Sequence, residues 1–201
     1  MFAFTATTAG YASRLDTSER AVLIRVVEDV SILVADGEEE RGDDGDPIAH
    51  LDFDPAGVEL RPDGDPALAR LFPPMSVSDP DLAAEMRGLT VGEVRRSKLA
   101  NLAVVARALA SGSETVLVRR GEELQWLAAL TDVRLVLASR LGIDDDADSR
   151  RIHDLAVASA RDETGPGGDD ERLVALASLY AGLTWWQESL LLAVTRDRRA
   201  I

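Results

Sequence analysis

The chain has 201 residues, 46% of them hydrophobic and 29% charged, which is enough to bury a core within one domain spanning 1–201. Lys+Arg 22 against Asp+Glu 36 leaves a net charge of -14, so the surface as a whole repels nucleic-acid phosphate and anionic lipid, and any DNA contact has to be local. No cysteine occurs, which excludes disulfides, thiol redox chemistry, thiolate zinc sites and cysteine nucleophiles.

The opening segment carries no basic residue before Arg14 and no long apolar block, so it lacks the pattern of a signal peptide and a cytoplasmic protein is expected. No apolar run approaches the roughly 20 residues that span a bilayer, and no membrane contact is expected. Residues 2 to 15 alternate as a hairpin, with Phe2, Phe4 and Ala6 on one side and Thr8-Ala9-Gly10 as the turn. Asp16 and Glu19 then form a capping box for a helix from about Thr17 to Val34. Its Val22, Val26, Val27, Val30, Leu33 and Val34 are too many for a surface helix, while Arg20, Arg25, Glu28 and Asp29 mark its wet side.

From Asp36 to about Asp65 the composition turns to Gly, Pro, Asp and Glu, which reads as a mobile acidic loop at about 36–64. Asp65 and Pro66 open a short helix, Ala67 to Leu71, ended by Phe72-Pro73-Pro74. Asp79-Pro80 starts another, through Arg87, with Gly88 as its stop. Thr90 and Glu93 suggest a second capping box, for a helix from Val91 to Ala110. Thr115 to Val118 is a β-branched run fit to join the hairpin as a third strand. Long helices follow at Glu122 to Leu141, stopped by Gly142, and at about Asp170 to Thr195, with a shorter one from Ser149 to about Ala160 and a turn from Asp162 to Gly168. The fold class is α+β, mainly α: a helical bundle with a small antiparallel sheet from the amino-terminal hairpin plus residues 115–118.

At 100° per residue the last helix places Leu173, Leu176, Tyr180, Leu183, Gln187, Leu191 and Val194 on one face, so Gln187 interrupts an apolar stripe. Trp185 and Trp186 cannot both point there. Trp185 joins Val174, Ala181 and Leu192 on a second face, which lies between two helical layers or is covered by another chain; the layered arrangement is expected for one domain, and a homodimer is the alternative. Arg134 interrupts the stripe of Leu127, Leu130, Leu137 and Leu141, and a buried guanidinium needs a partner. Asp132, Gln187 and Glu188 are the candidates, with Lys98 and Asn101 able to extend the network. A structural polar network outweighs a binding site as the role of these residues.

Asp81 to Lys98 has the outline of a helix-turn-helix, with Arg95, Arg96 and Lys98 where groove contacts fall, so these three are weak DNA-contact candidates. Asp144, Asp146 and Asp148 begin like a calcium loop, but Ser149 and Leu155 stand where its glycine and bidentate acid belong. His153-Asp154 with His50 raises a minor alternative, a metal-dependent phosphohydrolase, although the two histidines lie far apart in the chain. No glycine-rich phosphate loop and no nucleophile elbow occur, and neither catalysis nor a bound cofactor is expected.

Several segments are more distinctive together than singly: Phe4-Thr5, Asp65-Pro-Ala-Leu-Ala-Arg-Leu-Phe-Pro73, Glu85-Met-Arg-Gly-Leu-Thr90 with Arg96-Ser-Lys-Leu-Ala-Asn-Leu102, Trp126 to Ile143, and Tyr180-Ala-Gly-Leu-Thr-Trp-Trp-Gln-Glu-Ser-Leu190. In these the chain resembles the AosR-like family of actinobacterial oxidative-stress transcriptional regulators, formerly a domain family of unknown function. The resemblance implies a cytoplasmic regulator that associates with a sigma factor or RNA polymerase. It also implies a Cys-x-x-x-Cys switch, which this cysteine-free chain lacks, so thiol sensing does not carry over. A net charge of -14 suits a basic protein partner better than bare DNA. The alternative is an interaction scaffold or adaptor linked to regulated proteolysis.

Overall fold

The computed structural model describes residues 1–36, 65–73, 80–159 and 169–199. Apart from Asp36, the expected acidic loop lies outside the described residues, as do the turn from Asp162 to Gly168 and His50. The fold is mainly helical α+β. Strands β1 (Thr5–Thr7) and β2 (Gly10–Arg14) precede helices α1 (Thr17–Asp36), α2 (Pro66–Leu71) and α3 (Pro80–Leu109). Strand β3 (Thr115–Arg119) then leads into α4 (Glu123–Arg140), α5 (Asp146–Ser159) and α6 (Asp169–Arg199).

The three strands form one antiparallel sheet in the order β1-β2-β3. Thr7 pairs with Gly10 in the hairpin, and Gly10 pairs in turn with Arg119. The third strand therefore adds where the β-branched run placed it, and β2 becomes the centre. The hairpin alternation holds only in part: Phe4 is buried, whereas Phe2 is 63% exposed and Ala6 faces solvent. Regular pairing begins only at Thr5, and β1 is an edge strand, so the period-2 pattern does not extend back to Phe2.

Helix starts follow their local chemistry. The Asp16 carboxylate accepts from the Glu19 amide at 2.8 Å, and Glu19 accepts from the Asp16 amide at 2.9 Å, a reciprocal capping box. Asp65 accepts from the Ala67 amide at 2.8 Å and also takes both terminal nitrogens of Arg140, one of them at 3.0 Å. One carboxylate thus caps α2 and ties it to the end of α4. At that end Gly142 has φ +62°, its amide donates to Ser139, and that of Ile143 reaches back to Ala138, the hydrogen-bond pair of a Schellman stop.

Two expectations fail here. Helix α3 runs unbroken through Gly88 and Gly92, so the helix-turn-helix does not form. A glycine inside a helix costs about 1 kcal/mol relative to alanine, which is too little to stop a helix without a proline or a left-handed residue. Arg20 and Asp29, assigned to the wet side of α1, are buried at 9% and 5% exposure. Arg20 donates to the carbonyls of Leu109, at 2.7 Å, and of Ser113. Its guanidinium thereby satisfies backbone left open where α3 ends, and this explains its burial.

The core centres on three aromatic rings. Phe4 stacks on Trp186 at 4.9 Å between centroids, and Trp126 meets both edge-on at 6.2 and 5.9 Å. Trp186 Nε1 donates to Ser13 Oγ at 2.8 Å, and the Phe4 amide donates to Ser189 Oγ at 3.2 Å. The sheet is stitched to α6 by these bonds as well as by packing.

Candidate interaction faces

Helices α3 and α4 leave an open groove of about 670 Å³ lined by Val94, Ser97, Lys98, Asn101, Ala128 and Asp132 among others. On this groove Lys98 Nζ donates to Asp132 Oδ1 at 2.6 Å. Asp132 is 4% exposed, and burial raises its carboxyl above the usual range, opposed by the neighbouring ammonium. A carboxylate at this depth is tolerable because Lys98 supplies both a hydrogen bond and opposite charge.

Arg134 finds its partner one helix away. Its Nη1 donates to Gln187 Oε1 at 2.8 Å, and its guanidinium carbon lies 5.5 Å from the Tyr180 ring centroid. The Gln187 amide nitrogen donates to the Leu127 carbonyl at 3.0 Å and to Thr131 Oγ1 at 2.7 Å. Gln187 therefore joins α4 to α6 through both ends of its amide. Of the three expected partners of Arg134, the structure selects Gln187. Asp132 belongs to Lys98 instead, and Glu188 points to solvent.

The three basic DNA-contact candidates are turned inward or paired. Arg95 donates to the carbonyls of Val34 at 2.8 Å and Ala35 at 3.1 Å, where a cation suits the carboxyl end of α1, and its guanidinium lies over Phe72. Lys98 holds Asp132. Arg96 is exposed and bridges Glu93 at 2.6 Å.

Helix α6 separates its tryptophans completely. Trp186 is fully buried and Trp185 is 47% exposed. The expected buried stripe is rotated: Leu176, Leu183, Trp186, Leu190 and Val194 face the core, while Leu173 and Leu191 are at 36% and 52%. The second face is not sandwiched between helical layers either, because Leu192 beside Trp185 is 53% exposed. Trp186 fixes the rotation, since its ring must reach Phe4 and Ser13.

One cluster went unanticipated. Near the end of α6, Asp197 accepts from Arg120 Nη1 at 2.6 Å and from the Tyr11 hydroxyl at 3.0 Å, and Arg120 also donates to the Thr7 carbonyl at 3.0 Å. Arg120, then Tyr11, hold the Asp197 carboxyl below its usual range, while burial and then Asp197 push the Tyr11 phenol up. Arg120 and Tyr11 lie 77 and 186 positions from Asp197 in the chain, so no spacing could announce them.

Among the described residues no group of three or more His, Cys, Asp or Glu is placed to hold a metal; His153 is exposed on α5. Within the same residues no helix is long and apolar enough to cross a membrane. Among curated proteins and among solved structures, nothing matches the chain. Its family is nonetheless shown, for the model described as a domain of unknown function (DUF2017) matches residues 1–194, and the chain belongs to that family.

Proposed function

We propose that this chain is a cytoplasmic stress-response regulator of the AosR type, acting without catalysis by gripping a sigma factor or RNA polymerase in the groove between α3 and α4. The observation that carries the reading is the groove itself, an opening of about 670 Å³ in which Val94 and Leu127 offer apolar surface beside the Lys98–Asp132 pair. Ser97 and Asn101 add a hydroxyl and an amide able to read a partner's polar groups. A net charge of -14 favours a basic partner and steers its approach. With no cysteine in the chain, the signal is not a thiol switch.

The test is affinity capture with the full chain, paired with an Ala128→Arg variant that fills the groove. Recovery of a sigma factor or an RNA polymerase subunit, lost in the variant while its circular dichroism is unchanged, supports the reading. Capture of neither overturns it. Chromatin immunoprecipitation separates a regulator, which occupies promoters, from an adaptor linked to proteolysis, which does not.

A further inference from the structure

Five residues of α6 recur at intervals of seven, Glu171, Ser178, Trp185, Leu192 and Arg199, and all five face solvent. Val174 and Ala181 lie half-buried on the same stripe. Outward residues at a seven-residue period are what a second helix packs against in a nearly aligned pair, at about 20°. The stripe is also ordered by charge. It begins with Glu171, carries Trp185 and Leu192 beside a second acid, Glu188, at its middle, and ends with Arg196 and Arg199. Glu171 and Arg199 each stand fourteen residues from Trp185, and Ser178 and Leu192 each stand seven.

We propose that a second copy of this chain packs on this face, antiparallel, about a two-fold axis through Trp185. Symmetry then sets Glu171 against the partner's Arg199 at both ends, and Leu192 against the partner's Ser178, large against small. Trp185 meets the partner's Trp185 at the centre, where interface hot spots concentrate. A parallel pair would instead oppose arginine to arginine. Beside the stripe the Met1 methyl would meet a Cβ at Gly182, and Phe2, 63% exposed, follows Met1 in the chain. The net charge of -14 opposes self-association at long range, but with a Debye length of about 8 Å at physiological salt the contact terms decide. No residue lining the α3–α4 groove belongs to α6, so this inference stands apart from the proposed partner site.

Sedimentation equilibrium of the full chain tests it. The expected mass is twice 21.6 kDa, and Trp185→Asp should raise the dissociation constant by about 30-fold or more without altering the circular dichroism. Glu171→Arg and Arg199→Glu should each weaken the dimer roughly fivefold, and the double variant should recover it. A chain that stays monomeric at all concentrations overturns the proposal, as does a dimer indifferent to Trp185→Asp. A double variant no tighter than the singles overturns the antiparallel register.

Discussion

Trp185 and Trp186 are neighbours in the chain with opposite fates: the first is 47% exposed and the second fully buried. The buried ring has everything a large side chain needs inside, namely Phe4 and Trp126 against its faces and edges and Ser13 to accept from its nitrogen. The exposed ring has none of these, and Leu192 beside it is 53% exposed as well. The contrast separates the side of α6 that holds the fold together from the side left over for association.

Substitution separates the two sides most sharply. Trp186→Ala should cost about 4 kcal/mol in denaturant unfolding, a large share of the total stability of an ordinary domain. Trp185→Ala, measured where the chain is dilute, should stay within about 0.5 kcal/mol. Equal losses would break the comparison. A buried charge sets the next step down: Lys98→Ala leaves Asp132 unpaired and should cost about 3 kcal/mol, whereas Lys98→Met with Asp132→Leu should recover most of it. Urea midpoints of the three variants check this.

Gln187 sits on the seam between the two sides and sharpens the comparison further. Removing it by Gln187→Ala should cost about 1 kcal/mol net, since Arg134 and Thr131 retain some access to water. The smallest effect is in pH. Asp197 is held low by Arg120 and Tyr11, so its contribution is full above the ordinary carboxylate range and is lost as pH falls through its depressed folded value. Asp132 is raised by burial, so its contribution is full below that range and is lost as pH rises through the elevated one. Melting temperatures across the acid range should therefore lose slope in Asp197→Asn and gain it in Asp132→Asn.

What could be read before folding was whatever is decided within a few residues. Asp16 with Glu19, Asp65 with Pro66, and Gly142 each act on the backbone beside them, and each starts or stops its helix where expected. The errors lie where distant parts decide. Gly88 looked like a stop, but nothing local enforces one, and α3 continues. Arg20 looked solvated because its acceptors, Leu109 and Ser113, lie some ninety residues on. Both sides of α6 carry enough apolar residues to be buried, and the choice between them falls to the amino-terminal hairpin. At the polar positions the sequence offered Gln187 as one of three partners for Arg134 without choosing among them, because an arginine amid leucines announces a need and not who meets it.

Gly10 has a consequence beyond its turn. A Cβ there would stand 2.0 Å from the Val118 carbonyl oxygen, at φ +144°, so every other amino acid would have to prise the middle strand off its neighbour. Gly10→Ala would thereby unzip β2 from β3 at the end nearest Arg120, loosening the Arg120–Asp197 attachment while the helical interior stays intact. It offers a hinge by which the carboxyl-terminal tip of the longest helix can be set adrift on purpose.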